Sequence, residues 1–387
     1  MKLKSLAILF VIIFCSCLSE KEKNDTLKIK RTEVEKIASE LQYGFVNDNI
    51  IAINSIYDAD ALAKRFIRST SKKRILEFNN SFYIGFIRQF NFGEILIQEK
   101  SNGAKYDFLR IYQDTLKDYH IIFRFFSKNG INYHDHLVKK IKDEPKIADT
   151  YIYTSGESLS DTYRTIYKKA LYGGNFLTGD FTSSLFMRDM KKLEKIRTLN
   201  KNGNFEKSNK IYQTISSSSK NEKIFKLTNI TTTANLSNKM FVKAVKDYES
   251  KYPNDPSLYL LSIDRFILKK DFQKAIEAID KLDKHVKGDS FLNFMRANIY
   301  TYQNRYQDAV QTLKIVTAGY PEFLEAYDGL LAIYIETDQK EEAIKILDTF
   351  VTKFNVNKKE LSLSIKGSFP KFTTTKEFVI WNKKNPS

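Results

Sequence analysis

The chain has 387 residues, of which 42% are hydrophobic, with 29 Phe and 22 Tyr among them. This length favours two or three domains, and the apolar content excludes a disordered chain. The formal net charge of +17 could suit nucleic acid or an acidic membrane surface. The lysines, however, stand beside glutamates in segments such as KKLEK (191 to 195). That pattern is typical of solvated helix faces, so we expect no nucleic-acid partner.

The first 16 residues have the order of a secretory signal peptide. Lys2 and Lys4 precede nine apolar residues, Leu6 to Phe14. A helix that crosses a bilayer needs about 20 apolar residues, so this run is too short to span one. A cleaved signal is therefore favoured. A short anchor that is never cleaved is the alternative.

Both cysteines of the chain, Cys15 and Cys17, stand at the end of this apolar run. They lack the further ligands of a tetrahedral zinc site, and a disulfide between residues two apart has poor geometry. The segment Phe14-Cys15-Ser16-Cys17 resembles the lipobox of bacterial lipoproteins, in which a small residue precedes the lipidated cysteine. The resemblance implies cleavage after Ser16 and lipid attachment at Cys17. It also implies an outer-membrane lipoprotein that faces the periplasm or the cell surface.

Residues 17–31 are polar and without periodicity, which predicts a flexible tether. Residues 32–170 are predicted to form an α+β domain. Their pattern is helical from 32 to about 92 and changes to period two after Gly93. The predicted strands are 94–100, 106–113, 118–127, 131–141 and 146–154. Helices followed by an antiparallel meander resemble the NTF2-like family with its curved sheet, and residues 171–185 are interpreted as a hinge.

The Asn129-Gly130 pair predicts a two-residue hairpin turn between the third and fourth strands. In that register Lys128 would stand opposite Ile131, and Phe123 opposite His136. Arg124 would then stand opposite Asp135 and form a cross-strand ion pair.

The HxH segment is the one constellation with potential for chemistry. His134 and His136 alternate along a strand, so both imidazoles lie on one side of the sheet, as a metal site would need. No third ligand follows at a useful spacing, and we expect no metal and no cofactor. The alternatives are histidines packed among aromatic residues, or a small-molecule pocket formed by Tyr133, His134 and His136. The chain beyond the signal has no phosphate loop, no HExxH segment and no cysteine nucleophile, so we expect no enzyme.

The C-terminal half repeats every 34 residues. DFQKAIEAIDKL (271 to 282), RYQDAVQTLKIV (305 to 316) and QKEEAIKILDTF (339 to 350) align and superimpose Ala275, Ala309 and Ala343. Pairs of amphipathic helices that pack through a small residue form a solenoid, because each unit buries the apolar face of its neighbour. With Tyr259 and Pro321 at matching places, the repeat resembles the tetratricopeptide family. About five helical hairpins are predicted over 186–357, and a capping segment that contains Trp381 over 358–387.

The resemblance implies that a protein or peptide partner binds along the first helices of the hairpins. Simple solvent exposure of these residues is the alternative, and capture of surface glycans is a further one. The sequence leaves the oligomeric state open. The residues predicted to line the groove are Asp264, Phe294, Met295, Asn298, Tyr302, Asp328 and Glu336.

Overall fold

The computed structural model describes residues 29–127, 130–173, 185–253 and 255–384. The predicted signal peptide, Cys17 and most of the tether lie outside the described residues, as do Lys128, Asn129 and positions 174–184 of the predicted hinge. The chain folds as an N-terminal antiparallel sheet with helices, followed by a long run of paired helices. The predicted fold class, an α+β domain followed by an all-α array of helical hairpins, is confirmed. Within the described part of the chain, no helix has the length and apolar character needed to cross a bilayer.

Among the described residues, five helices precede the sheet and one directly follows it. The sheet has five strands in the order β1-β2-β3-β4-β5, all antiparallel. The elements are α1 Arg31–Val46, α2 Ile50–Ser55, α3 Ala59–Phe66, α4 Lys73–Gln89, α5 Phe92–Lys100, β1 Lys105–Gln113, β2 Tyr119–Ser127, β3 Gly130–Ile141, β4 Glu144–Ile152, β5 Glu157–Ser158 and α6 Leu159–Gly173.

The prediction of a first strand at 94–100 is wrong, because this segment belongs to helix α5. The side chain of Asn91 accepts a hydrogen bond from the backbone N–H of Glu94 and caps the helix. Phe92 and Leu96 stand four residues apart and are both buried, which is the spacing of one helical face. Ile95, which contributed to the apparent strand pattern of this segment, has an exposed side chain.

The β2–β3 register differs from the prediction by two residues. Ser127 stands opposite Gly130, so Arg124 faces Tyr133 and Phe123 faces His134. The predicted ion pair between Arg124 and Asp135 is therefore wrong. A shift of two residues leaves every side chain on its predicted face, so the apolar alternation could not distinguish the two registers.

Both faces of the sheet are covered. One face packs against α1 and α5, and the other packs against the helical hairpins. At the outer edge of β1, the side-chain amide of Gln42 donates to the carbonyl of Tyr106 and accepts from the N–H of Phe108. Gln42 thus satisfies backbone groups that an edge strand would otherwise leave open. The core on the helix side includes Val34, Leu41, Phe45, Leu96, Tyr106, Ile121, Phe123 and Val138.

The described part of the chain after residue 184 contains five helical hairpins, with one short helix between the first two. Ala275, Ala309 and Ala343, the small residues of the repeat, are completely buried, as the 34-residue period predicts. The hairpins pair α7 Leu185–Lys201 with α8 Phe205–Gln213, then, after the short α9 Ser217–Lys220, α10 Lys223–Ala234 with α11 Asn238–Lys251, α12 Ser257–Leu268 with α13 Phe272–His285, α14 Leu292–Tyr302 with α15 Tyr306–Gly319, and α16 Leu324–Glu336 with α17 Lys340–Thr352.

The C-terminal segment packs on the last hairpin. It contains α18 Lys358–Ser368, a short 3-10 turn and α19 Lys376–Lys384. Trp381 is 4% exposed, and its indole N–H donates to the carboxylate of Asp348 in α17 over 2.8 Å. The indole N–H of a buried Trp needs such a partner, so this contact fixes α19 against the hairpin.

Candidate functional site

His134 and His136 lie side by side in the core between the sheet and α1, on the predicted face of the sheet. The Tyr106 hydroxyl lies 3.0 Å from Nδ1 of His134 and 2.7 Å from Nε2 of His136. Nδ1 of His136 also lies 2.9 Å from the Thr150 hydroxyl and 3.2 Å from the Tyr57 hydroxyl. The polar atoms of this group therefore satisfy one another within the core.

Burial determines the charge of the two histidines. Desolvation lowers the pKa of His134 to about 3, and it lowers the pKa of His136 well below its usual value, with His134 and His120 adding to the effect. Burial also raises the pKa of Tyr57 and Tyr106 well above the usual value. All four groups are neutral at physiological pH, as buried groups without a counter-charge must be.

Tyr133 does not join the two histidines. It lies on the opposite face of the sheet, where its hydroxyl donates to Asp289 over 2.9 Å. The three residues predicted for a pocket are thus divided between the two faces. No group of three or more potential metal ligands occurs among the residues that the structure describes.

The contact between the sheet and the hairpins is centred on the buried carboxylate of Asp289. Arg124 of β2 donates from Nη1 to both carboxylate oxygens, at 2.9 and 3.2 Å. Tyr133 and Tyr320 donate to the same carboxylate over 2.9 and 2.8 Å. The second terminal nitrogen of Arg124 donates to Asp107 over 2.6 Å. Two charges buried in this way cost little only because each has several hydrogen-bond partners.

Sequence reasoning missed this junction. Arg124 and Asp289 are 165 residues apart, and no local pattern joins them. Asp289 follows Gly288 and accepts the N–H of Phe291 at the start of α14, so by itself it resembles a helix cap. Only the three-dimensional structure shows that this carboxylate also accepts hydrogen bonds from Arg124, Tyr133 and Tyr320.

The predicted groove residues lie on α12, α14 and α16. We call the nine positions at four-residue spacing on these helices the first-helix stripe. None of the nine is buried, and Tyr302 is 63% exposed. The stripe consists of Leu260, Asp264 and Leu268 on α12, Phe294, Asn298 and Tyr302 on α14, and Asp328, Ala332 and Glu336 on α16.

The sheet borders one end of the stripe. Phe126 of β2 packs on Phe291 and Phe323, next to the N-terminal ends of α14 and α16, with ring centroids 4.9 and 5.9 Å apart. Phe294 and Met295, at the same end, are half-buried within the clusters that include sheet residues. The C-terminal halves of the first helices, by contrast, keep exposed side chains.

Charge on the stripe is carried only by carboxylates. Asp264, Asp328 and Glu336 form no ion pair with any lysine or arginine in the described part of the chain. The protein around them raises the pKa of Asp264 by desolvation, and it raises the pKa of Asp328 by desolvation and the charge of Glu325. An unpaired carboxylate in such surroundings gains from a cationic neighbour.

Comparison with known proteins gives no further guide: no protein-family model matches the chain, and no curated protein is significantly similar to it.

Proposed function

We propose that this chain is a lipid-anchored adaptor of the bacterial cell envelope, attached to the outer membrane through Cys17. It binds a protein or peptide partner through the first-helix stripe of its tetratricopeptide-like hairpins. The proposal assigns no catalytic residue and no cofactor. Its main support is that Leu268, Tyr302 and Glu336, at equivalent positions of three successive hairpins, are all exposed, while the alanines at which the helices pack are completely buried.

The N-terminal domain, which resembles the NTF2-like family in its order of elements, serves in this proposal as a support. Its sheet is buried on both faces, and the Tyr106 hydroxyl in its core already lies within hydrogen-bond distance of His134 and His136. A ligand pocket at Tyr133, His134 and His136 has less support. Tyr133 points to the hairpins, and the ring nitrogens of His136 lie within hydrogen-bond distance of Tyr106 and Thr150.

Partner capture tests the binding part of the proposal. The tagged full chain is recovered from detergent-solubilised envelopes, and co-purifying proteins are identified by mass spectrometry. Leu268→Ala/Tyr302→Ala should lose a partner that the wild-type chain recovers reproducibly. Ile315→Ala/Leu363→Ala removes two equally exposed apolar side chains elsewhere and should keep it. Absence of a reproducible partner, or equal loss in both double variants, would refute stripe-mediated binding.

Fatty-acid labelling of cells tests the anchor. Cys17→Ser should abolish incorporation of a labelled fatty acid and release the chain from the membrane fraction. Cys15→Ser should do neither, because Cys15 belongs to the predicted signal. Equal labelling of the wild-type chain and Cys17→Ser would exclude the anchor without bearing on partner binding.

A further inference from the structure

We infer that the partner segment bound by the first-helix stripe is a basic, amphipathic peptide, rich in lysine or arginine and carrying apolar side chains between its charges. This inference rests on the proposed binding function and specifies its ligand.

The stripe and the whole chain carry net charges of opposite sign. The chain carries 63 lysines and arginines against 46 aspartates and glutamates, yet the nine stripe positions include three carboxylates and no basic residue. Asp264, Asp328 and Glu336 are each exposed and form no ion pair with another described residue. The stripe positions themselves therefore carry only negative charge, on a protein whose net charge is positive.

The two arginines of these helices already have carboxylate partners. Arg265 and Arg296 are the only basic residues of α12, α14 and α16. Arg265 donates to Glu249 of the preceding hairpin over 2.5 Å. Arg296 donates to Asp280 and Asp283 of α13, over 2.8 Å in each case. Both positive charges are thus neutralised by the neighbouring second helices and do not balance the carboxylates of the stripe.

The stripe also exposes apolar side chains beside its carboxylates. Leu268 is 43% exposed, and the ring of Tyr302 is 63% exposed and lies parallel to that of Phe272 at a centroid distance of 6.2 Å. Leu268 and Tyr302 occupy equivalent places in successive hairpins, and Glu336 occupies the third. A bound segment would meet apolar side chains and carboxylates in turn. Exposed aromatic rings also attract the cationic heads of lysine and arginine.

Peptide binding in solution tests the inference. Anisotropy of labelled 15-residue peptides would be measured with the full-length chain in non-ionic detergent. One peptide alternates lysine with leucine and tyrosine, and its twins carry glutamate or glutamine in place of lysine. We expect the lysine peptide to bind most tightly and to weaken as salt is raised, because the carboxylates are exposed.

Two triple variants that each remove three carboxylates, one on the stripe and one elsewhere, test whether the stripe charges bind the peptide. Asp264→Asn/Asp328→Asn/Glu336→Gln should weaken binding of the lysine peptide about tenfold, given the modest strength of three exposed pairs. Glu77→Gln/Glu206→Gln/Glu360→Gln changes net charge equally at exposed sites off the stripe and should leave binding unchanged. The inference is overturned if the glutamate peptide binds as well, if both triple variants behave alike, or if no peptide binds. In each of these cases, a partner captured by wild type and lost by Leu268→Ala/Tyr302→Ala would leave the proposed function standing.

Discussion

His134 and His136 are neutral bases held in a dry core, so their titration is coupled to folding. Their pKa values in the folded state lie below that of an unfolded histidine, about 6.5. The unfolded chain therefore binds protons first as the pH falls. The stability that the pair contributes is complete above about pH 6.5 and is lost progressively as the pH falls below that value.

We predict a steep acid dependence of the free energy of unfolding. Each histidine should cost about 1.4 kcal/mol per pH unit below pH 6. Urea unfolding at pH 7, 6 and 5 would measure it, and His134→Gln/His136→Gln should show a smaller loss over this range. His120→Gln is the control, because the pKa of His120 is shifted in the opposite direction to those of His134 and His136. Burial tends to lower the pKa of His120, but Asp135 and Asp114 outweigh this effect and raise it, so its contribution is lost as the pH rises. Equal acid slopes in wild type and the double variant would contradict the prediction.

Asp289 is the residue on which the stability of the contact between the sheet and the hairpins depends most. Asp289→Ala should lower the free energy of unfolding by about 3–5 kcal/mol, because it leaves the buried guanidinium of Arg124 without its main partner. The Tyr133 and Tyr320 hydroxyls would lose an acceptor as well. Asp280→Ala removes a carboxylate that is 58% exposed and should cost about 1 kcal/mol or less. Urea unfolding compares the two, and equal costs would show that the junction has no special weight.

At the scale of the element, the turns inside three hairpins repeat as closely as the helices do. Lys270, Asn304 and Asp338 stand 34 residues apart, and each has φ of 58°. Left-handed backbone suits Gly or Asn and costs a residue such as lysine about 1 kcal/mol. The sequence thus places a strained residue in the α12–α13 turn.

Lys270→Gly should raise the free energy of unfolding by about 0.5–1 kcal/mol, since glycine adopts this conformation without strain. Its neighbour Lys269 has φ of −87°, so Lys269→Gly gains nothing and should be neutral or destabilising. Urea midpoints of the two variants measure the difference. A gain in both variants, or in neither, would mean that the backbone of this turn does not limit stability.

The elements also show how far sequence patterns determine this fold. The 34-residue period predicted the hairpins because every unit packs on the next by the same local rule. The strand predicted for residues 94–100 was wrong because Phe92 and Leu96 form a buried helical face, and tertiary packing favoured this face over the period of two that Ile95 and Ile97 suggested. The predicted register of β2 on β3 was wrong for a related reason, since a shift of two residues keeps every side chain on the same face of the sheet. Six of the nine stripe positions were named from the repeat alone, whereas the partners of Asp289 could not be, because they come from distant parts of the chain.

At the scale of the whole molecule, the sheet and the hairpins share a core. Ile122, Tyr133 and Tyr153 of the N-terminal part pack in one cluster with Ile263 and Leu292 of the hairpins. Neither part can lose its structure without exposing the apolar surface of the other. We therefore predict that the two parts unfold in one transition. Trp381, the only tryptophan, monitors the C-terminal end by fluorescence, and amide exchange in β2 and β3 monitors the sheet.

Phe126→Ala should separate the two transitions. Its ring packs on Phe291 and Phe323, so its removal weakens the shared core by about 2 kcal/mol while leaving the interior of each part intact. Phe108→Ala is the control, because this ring is 43% exposed and contacts Phe123 within the sheet.

In Phe126→Ala we expect the sheet to exchange its amides at a lower urea concentration than that at which Trp381 fluorescence changes. In wild type and Phe108→Ala the two midpoints should coincide. Separate midpoints already in wild type would mean that the sheet and the hairpins are independently stable, and that the contact at Asp289 joins them without making them one cooperative unit.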